Sequence, residues 1–243
     1  MRMLAFANRN TKEIIRDPLN LGFGLGFPLV LLFLLSAIQA NIPVSLFEIE
    51  HLAPGIAVFG LSFITLFSAT LISKDRSSSL LARLYTTPLS PLDFILGYTL
   101  PILPVAVVQS IVCYIAAIVL GLKISVNIIL SIVFIIPVSI LFVGLGLLFG
   151  SILNDKQVGG ICGALLTNLS AWLSGTWFDL ELVGGVFKKI AYALPFVHAV
   201  EIGRATLAGN FAQVLPHLLW VLGYAVAVFA LAVLLFLRQM KRQ

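Results

Sequence analysis

The chain has 243 residues, of which 60% are hydrophobic and 10% charged, and its mean hydropathy is +1.10. Soluble domains carry roughly 25% charged residues, so a water-soluble fold is excluded and the chain belongs in lipid. The net charge of +5 suits a membrane protein with basic residues gathered on one side better than it suits a nucleic-acid binder.

Met1 to Asp17 mixes Met3, Leu4, Phe6, Ile14 and Ile15 with Arg2, Arg9, Lys12, Glu13 and Arg16, which predicts an interfacial helix over 1–17, stopped by Pro18. Basic residues ahead of an apolar run also suit a signal peptide. The long polar lead-in, the near-spanning apolar run and the further spans favour a retained segment. A first span is expected over about Leu21–Ala40, with Gly22, Gly24 and Gly26 permitting close approach and Pro28 predicting a kink. A loop with Glu48 and Glu50 leads to a second, about Leu52–Ser73, where Ser62, Thr65, Ser68 and Thr70 lie among Phe59, Phe63 and Phe67.

A polar island follows, Lys74 to Asp93. Leu80, Leu81, Leu84 and Tyr85 recur on one side of a helix, with Ser77 to Ser79 as candidate N-caps and Pro88 as its stop. Ser90-Pro91-Leu92-Asp93 then reads as a capping box that opens the next helix. The third span, about Leu92–Leu120, contains Pro101 and Pro104. The fourth, about Val126–Gly150, has Gly146 and Gly150 at GxxxG spacing. After Asn154-Asp155-Lys156 a fifth span is expected over about Gln157–Ser174, with Gly159 and Gly163 at the same spacing. Residues 175–212 are too polar for a simple span and too apolar for a free loop, and Pro195 divides them. They predict a pair of short re-entrant helices at the outer interface. The last span, about Val214–Leu237, ends in Arg238, Lys241 and Arg242. The fold class expected is all-α, six transmembrane helices in a single domain over 1–243.

Basic residues set the orientation. Arg2, Arg9, Lys12, Arg16, Lys74, Arg76, Arg83, Lys156, Arg238, Lys241 and Arg242 fall on one side; Lys123, Lys188, Lys189 and Arg204 fall on the other. The first side is therefore cytoplasmic, with both termini and the island. No Gly-x-x-x-x-Gly-Lys-Ser/Thr occurs, so no P-loop can hold a triphosphate, and energy for pumping must come from another chain or an ion gradient.

Leu84-Tyr85-Thr86-Thr87-Pro88-Leu89-Ser90, on a cytoplasmic helix between spans two and three, resembles the coupling helix of ABC type-2 exporter permeases. Asp75 stands for the acidic lead-in of such permeases, and Gly97 for the glycine early in their third span. Pro195 to Arg204, followed by Gly209, resembles the stretch before their last span. The chain departs from the pattern where Ser79 or its neighbours replace a glycine, Leu80 a threonine and Ala82 an acidic residue. The resemblance implies a multi-pass subunit of a bacterial cell membrane, working as a homodimer or heterodimer with a separate ABC-type ATPase. It implies no catalysis and no cofactor in this chain, with ATP and Mg on the partner. Leu81, Leu84 and Tyr85 would fill a groove on the ATPase, with Arg76 and Arg83 as rim charges. Phe59, Ser62, Phe63, Thr65, Phe67, Asn168 and Trp172 would line the path of an amphipathic substrate, a drug or antimicrobial peptide before a lipid or glycan.

Blander readings stand beside these. The island's leucines suit a helix merely resting on the bilayer, and the Asn168 amide suits a helix–helix hydrogen bond. The glycine pairs suit packing within the chain or a dimer seam. His51, His198 and His217 have no metal-ligand spacing and read as interfacial residues. Cys113 and Cys162, in apolar stretches, read as packing residues without a disulfide framework. Glu201 and Arg204 are placed to pair at i, i+3. An ion-coupled carrier is the alternative class, or a non-transporting scaffold, but a carrier would be expected to show ionisable groups at mid-membrane depth.

Overall fold

The computed structural model describes residues 2–78, 80–86 and 89–240. The N-terminal helix α1 (Arg2–Ile15) leads to α2 (Pro18–Gln39), α3 (Ile49–Ser77), the short α4 (Leu80–Tyr85), α5 (Pro91–Val119) and α6 (Val126–Ile152). A helical path then runs from α7 (Asp155–Val158) through a π-helical stretch, Gly159–Leu166, into α8 (Thr167–Leu173). The short α9 (Leu180–Val183), α10 (Gly185–Ala193) and α11 (Pro195–Leu207) precede α12 (Phe211–Met240).

Among the described residues five helices, α2, α3, α5, α6 and α12, are long and apolar enough to cross a membrane. The first four expected spans and the last match them. The expected fifth span is helical throughout but partly π-wound, and Thr167 Oγ1 donates to the carbonyl of Cys162 at 2.9 Å, five residues back. Wider π turns need room at the backbone. Gly159 and Gly160, with nothing within 4 Å of a would-be Cβ, lie in that stretch.

Helix α3 is the centre of the bundle. Its apolar window is 89% buried, against 22% for α2 and for α12, and it packs on α2, α5, α6 and α11. Small residues make this possible. At Gly60 a Cβ would stand 2.0 Å from the Gln109 amide of α5. At Gly146 and Gly150 of α6 it would run into Ser68 and into the backbone of Thr65 and Ala69. The first GxxxG pair is thus a seam inside the chain, whereas Gly163 makes only ordinary contact with Leu66. Polar side chains add to the packing: Thr65 Oγ1 donates to the carbonyl of Phe142 at 2.8 Å across the α3–α6 crossing, and the Tyr114 and Ser131 hydroxyls lie 2.5 Å apart between α5 and α6.

Two local readings need correction. The second span ends not at Ser73 but at Ser77. The Ser77 and Ser78 hydroxyls donate back to the carbonyls of Lys74 and Asp75 rather than capping α4. Ser79, the other expected cap, and Thr87 and Pro88, the expected stop, lie outside the described residues. The segment 175–212 forms three short helices rather than a pair. The last of them, α11, is inserted into the bundle: Phe196, Val197, Val200 and Ile202 are buried against the common core, and α11 packs on α3, α6 and α12.

Candidate coupling site

The island begins and ends as its residues dictate. Asp93 N donates to Ser90 Oγ at 3.2 Å and Ser90 N to Asp93 Oδ2 at 2.8 Å, so the capping box starts α5. The Thr86 hydroxyl donates to the carbonyl of Arg83 at 2.7 Å, just past α4.

What precedes α4 is more informative. Ser73, Lys74, Asp75 and Arg76 are consecutive in the last turns of α3. At about 100° per residue, four successive positions sample every side of a helix. Each finds a different neighbour. Ser73 Oγ donates to Asp155 of α7. Lys74 Nζ lies 3.8 Å from Asp17, the N-cap of α2, whose Oδ1 accepts from Asn20 N at 3.2 Å. Asp75 Oδ2 accepts from Arg9 of α1 at 2.6 Å and from the Tyr98 hydroxyl of α5 at 2.9 Å. Arg76 donates to the carbonyls of Ser151 and Leu153, closing the end of α6.

Asp75 is the most buried of the three charged residues among the four, 2% exposed, and a carboxylate so placed is costly unless its charge is met by hydrogen bonds and a countercharge. Arg9 and Tyr98 supply both. Burial works against the Arg9 charge, but the hydrogen bond and Coulombic pull of Asp75 outweigh it, so the guanidinium holds its proton more tightly than an ordinary arginine. Beside this pair Asn10 Nδ2 donates to the carbonyl of Gly97 at 2.9 Å. The Phe6 ring lies where a Cβ at Gly97 would be, 2.3 Å from its nearest ring carbon. Phe6 meets Phe94 and Tyr98 edge-on, which fastens α1 to α5.

The expected docking residues fall on both sides of this site. Arg83 is exposed. Leu84 is half-buried and turned toward the chain's own cluster of Phe6, Leu71, Ile72, Phe94 and Tyr98. The guanidinium of Arg76 is occupied by α6 rather than displayed at a rim. The side chains of Leu81 and Tyr85 lie outside the described residues. The expected path residues are not gathered into one lining. Phe59, Ser62, Phe63, Thr65 and Phe67 are buried, and Phe59 and Phe63 stack with Phe27 of α2 and, from Phe59, with Trp177. The Ser62 hydroxyl is spent on its own helix, at the carbonyl of Phe59. Asn168 and Trp172 instead face outward from α8, and the Asn168 amide donates to Ala164 of its own helix at 2.8 Å, not to another.

Every arm of the α3 end is carried by the first 208 residues, and there the comparison with known families is decisive. The sequence signature of the ABC-2 type transporter family matches residues 1–208. This chain belongs to the ABC-2 type transporter family. No curated protein matches it significantly. As an ABC-2 permease it is the non-catalytic transmembrane component of a transporter. Among the described residues no three His, Cys, Asp or Glu side chains are grouped to hold a metal.

The far end of the permease has its own fastening. Arg204 of α11 donates to Glu201 at 2.9 Å, to the carbonyl of Gly175 at 2.8 Å and to that of His51 at 3.3 Å, joining α11 to α3 and to the turn after α8. His198 and His217, 19 residues apart, bring their Nδ1 atoms within 2.7 Å. His198 Nε2 lies 3.0 Å from the carbonyl of Tyr192, an acceptor only, so that nitrogen carries the proton. His198 Nδ1 then accepts from Nδ1–H of His217. Sequence reading missed both this pair and the four-way α3 end. No spacing rule reports a contact between helices, though four polar residues in a row closing an apolar helix are themselves a signal.

Proposed function

We propose that this permease is the membrane-spanning subunit of an ATP-driven exporter in a bacterial cell membrane, worked by a separate ABC-type ATPase that docks on α4. The observation that carries the reading is the position of α4 directly after Ser73–Arg76. A push on α4 is delivered at once to α1, α2, α5, α6 and α7, because each is tied to one of those four residues. ATP and Mg belong to the partner chain. Arg83, exposed on α4, meets the ATPase, with Leu81 and Tyr85 as further docking residues, while Arg76 and Leu84 hold the segment to the bundle.

The end of the bundle that carries α1, α4 and most of the basic residues faces the cytoplasm. The path Asp155–Leu173 is the fifth of six spans, and a second permease subunit, identical or not, completes the transporter. The substrate is amphipathic, a drug or antimicrobial peptide before a lipid or glycan. Phe59, Phe63 and Phe67 seal α2 against α3 in this arrangement, and movement of α3 exposes them together with Ser62 and Thr65. Asn168 and Trp172 meet the substrate from the outward side of α8. An ion-coupled carrier gains nothing from the buried Asp75, which lies at the α4 end and is bound to Arg9.

Affinity purification of the full chain from its native membrane tests the reading. An ATP-binding-cassette protein is expected to accompany the permease, and to be lost in Arg83→Glu. A preparation containing no nucleotide-binding partner overturns it.

A further inference from the structure

Between α1, α2 and α3, beside the Lys74 arm, lies a cavity of about 220 Å³. Its wall on α3 is a single stripe, Phe67, Thr70, Leu71 and Lys74, at i, i+3, i+4 and i+7. Polarity changes along that stripe from aromatic to ammonium over about 10 Å, the rise of seven helical residues. On the opposite side Glu13, Arg16 and Asp17 sit at the polar level and Leu21 at the apolar one. The Phe67 ring reaches across to α2, where it occupies the place a Cβ at Gly24 would take, 2.5 Å from its ring carbons. Helix α2 turns most of its apolar surface outward, so the cavity borders lipid.

The charges are mixed and loosely satisfied. The Arg16 side chain makes no hydrogen bond or ion pair among the described residues. Lys74 reaches Asp17 only at 3.8 Å, and Glu13 reaches Arg9 only at 3.8 Å. Asp17 is already committed to α2, accepting from Asn20 N and from Asn20 Nδ2 at 2.7 Å. That leaves two cations and one carboxylate at the polar level, above an apolar floor. The complementary ligand has a phosphate for the cations, an ammonium for the carboxylate and a hydrocarbon tail.

We propose that this cavity holds the phosphoethanolamine headgroup of a phospholipid from the leaflet that covers α1. Arg16 and Lys74 take the phosphate, Glu13 takes the ammonium, and Phe67 and Leu71 take the first methylenes of the acyl chains. The assignment uses only the membrane placement that family membership carries; it is independent of the docking role given to α4.

The test is photolabelling of the full-length permease in nanodiscs with a phosphatidylethanolamine carrying a diazirine near its headgroup. Phosphatidylglycerol and phosphatidylcholine carrying the same group serve as comparators. Labelled peptides are expected to cover 13–21 and 67–74. The Arg16→Gln, Lys74→Gln double variant, both positions exposed, should lower labelling by all three lipids at least fivefold. Glu13→Gln should lower the ethanolamine lipid most, the choline lipid less and the glycerol lipid not at all, and Thr70→Trp, which fills the cavity, should abolish labelling there. Equal yields in the double variant, or labelling spread evenly over α12, overturn the assignment. So does competition by soluble phosphoethanolamine as strong as that by the intact lipid, which would make the ligand a free phosphate compound.

Discussion

Replacing Asp75 with Asn tests the α3 end most directly, because it keeps the shape and removes the charge. The buried Tyr98 hydroxyl then meets a neutral amide oxygen in place of a carboxylate, a loss of about 1–3 kcal/mol for a buried charge-assisted hydrogen bond weakened or broken. The Arg9 side chain is 37% exposed, so water takes over part of its hydrogen bonding. Its share is therefore only about 1 kcal/mol, the upper range of exposed pairs. Together the cost is about 2–4 kcal/mol, concentrated on the attachment of α1 to α3 and α5. Hydrogen exchange of the purified permease reads that attachment locally, without requiring reversible unfolding. If exchange is limited by local opening, amides in Arg2–Ile15 should exchange roughly thirty to seven hundred times faster, at 1.4 kcal/mol per decade. Exchange in α7 and α9 should not change. Tyr98→Phe, which keeps the ion pair, should give a smaller increase. An α1 exchange rate in Asp75→Asn no faster than in Lys12→Gln, an exposed substitution on the same helix, would refute the reasoning.

Other substitutions test neighbouring parts. Gly146→Ala should destabilise the α3–α6 seam by about 1–3 kcal/mol, since its Cβ meets backbone, whereas Gly159→Ala, with open space, should be neutral; thermal aggregation midpoints in detergent separate the two. Arg204→Gln should loosen α11, seen as faster proteolysis within 175–207, with little effect on α1. His198 is shifted to lower pKa by burial and then by the neighbouring His217, against a raising hydrogen bond to Tyr192 and the pull of Glu201. A depressed histidine takes up its proton more readily when unfolded. Its contribution to stability is therefore full above about pH 6.5 and declines as pH falls toward the lower folded value. Protection factors of α11 amides, which take out the intrinsic pH dependence of exchange, should fall between pH 7 and pH 5, and His198→Asn should remove that decline.

Much of the fold was legible because lipid imposes a simple rule: apolar runs of spanning length must be helices. The capping box at Ser90, the Gly146–Gly150 crossing and the Glu201–Arg204 pair follow from local spacing, and the structure shows each of them. The fifth expected span was legible as a helix but not as a π-wound one, because backbone winding responds to neighbours that no hydropathy window registers. Leu84 resembles a docking residue by its place in the island. Its side chain nevertheless turns inward, since the Phe6–Phe94–Tyr98 cluster offers apolar contact within the same chain. Asp75 was visible as an acidic lead-in, yet its partners lie 66 and 23 residues away in sequence, beyond the reach of any local pattern. Asn168 shows the opposite limit: an amide expected to seek another helix is satisfied four residues back on its own.

In the function proposed, α4 transmits the work of a separate ATPase to the bundle. The direct measurement is site-specific photocrosslinking from position 83, with a benzophenone-bearing cysteine replacing Arg83, in membranes of the native cell. One dominant adduct is expected, to an ATP-binding-cassette protein, with a yield that changes when a non-hydrolysable ATP analogue is added. Adducts to lipid alone, or to proteins that bind no nucleotide, would contradict it.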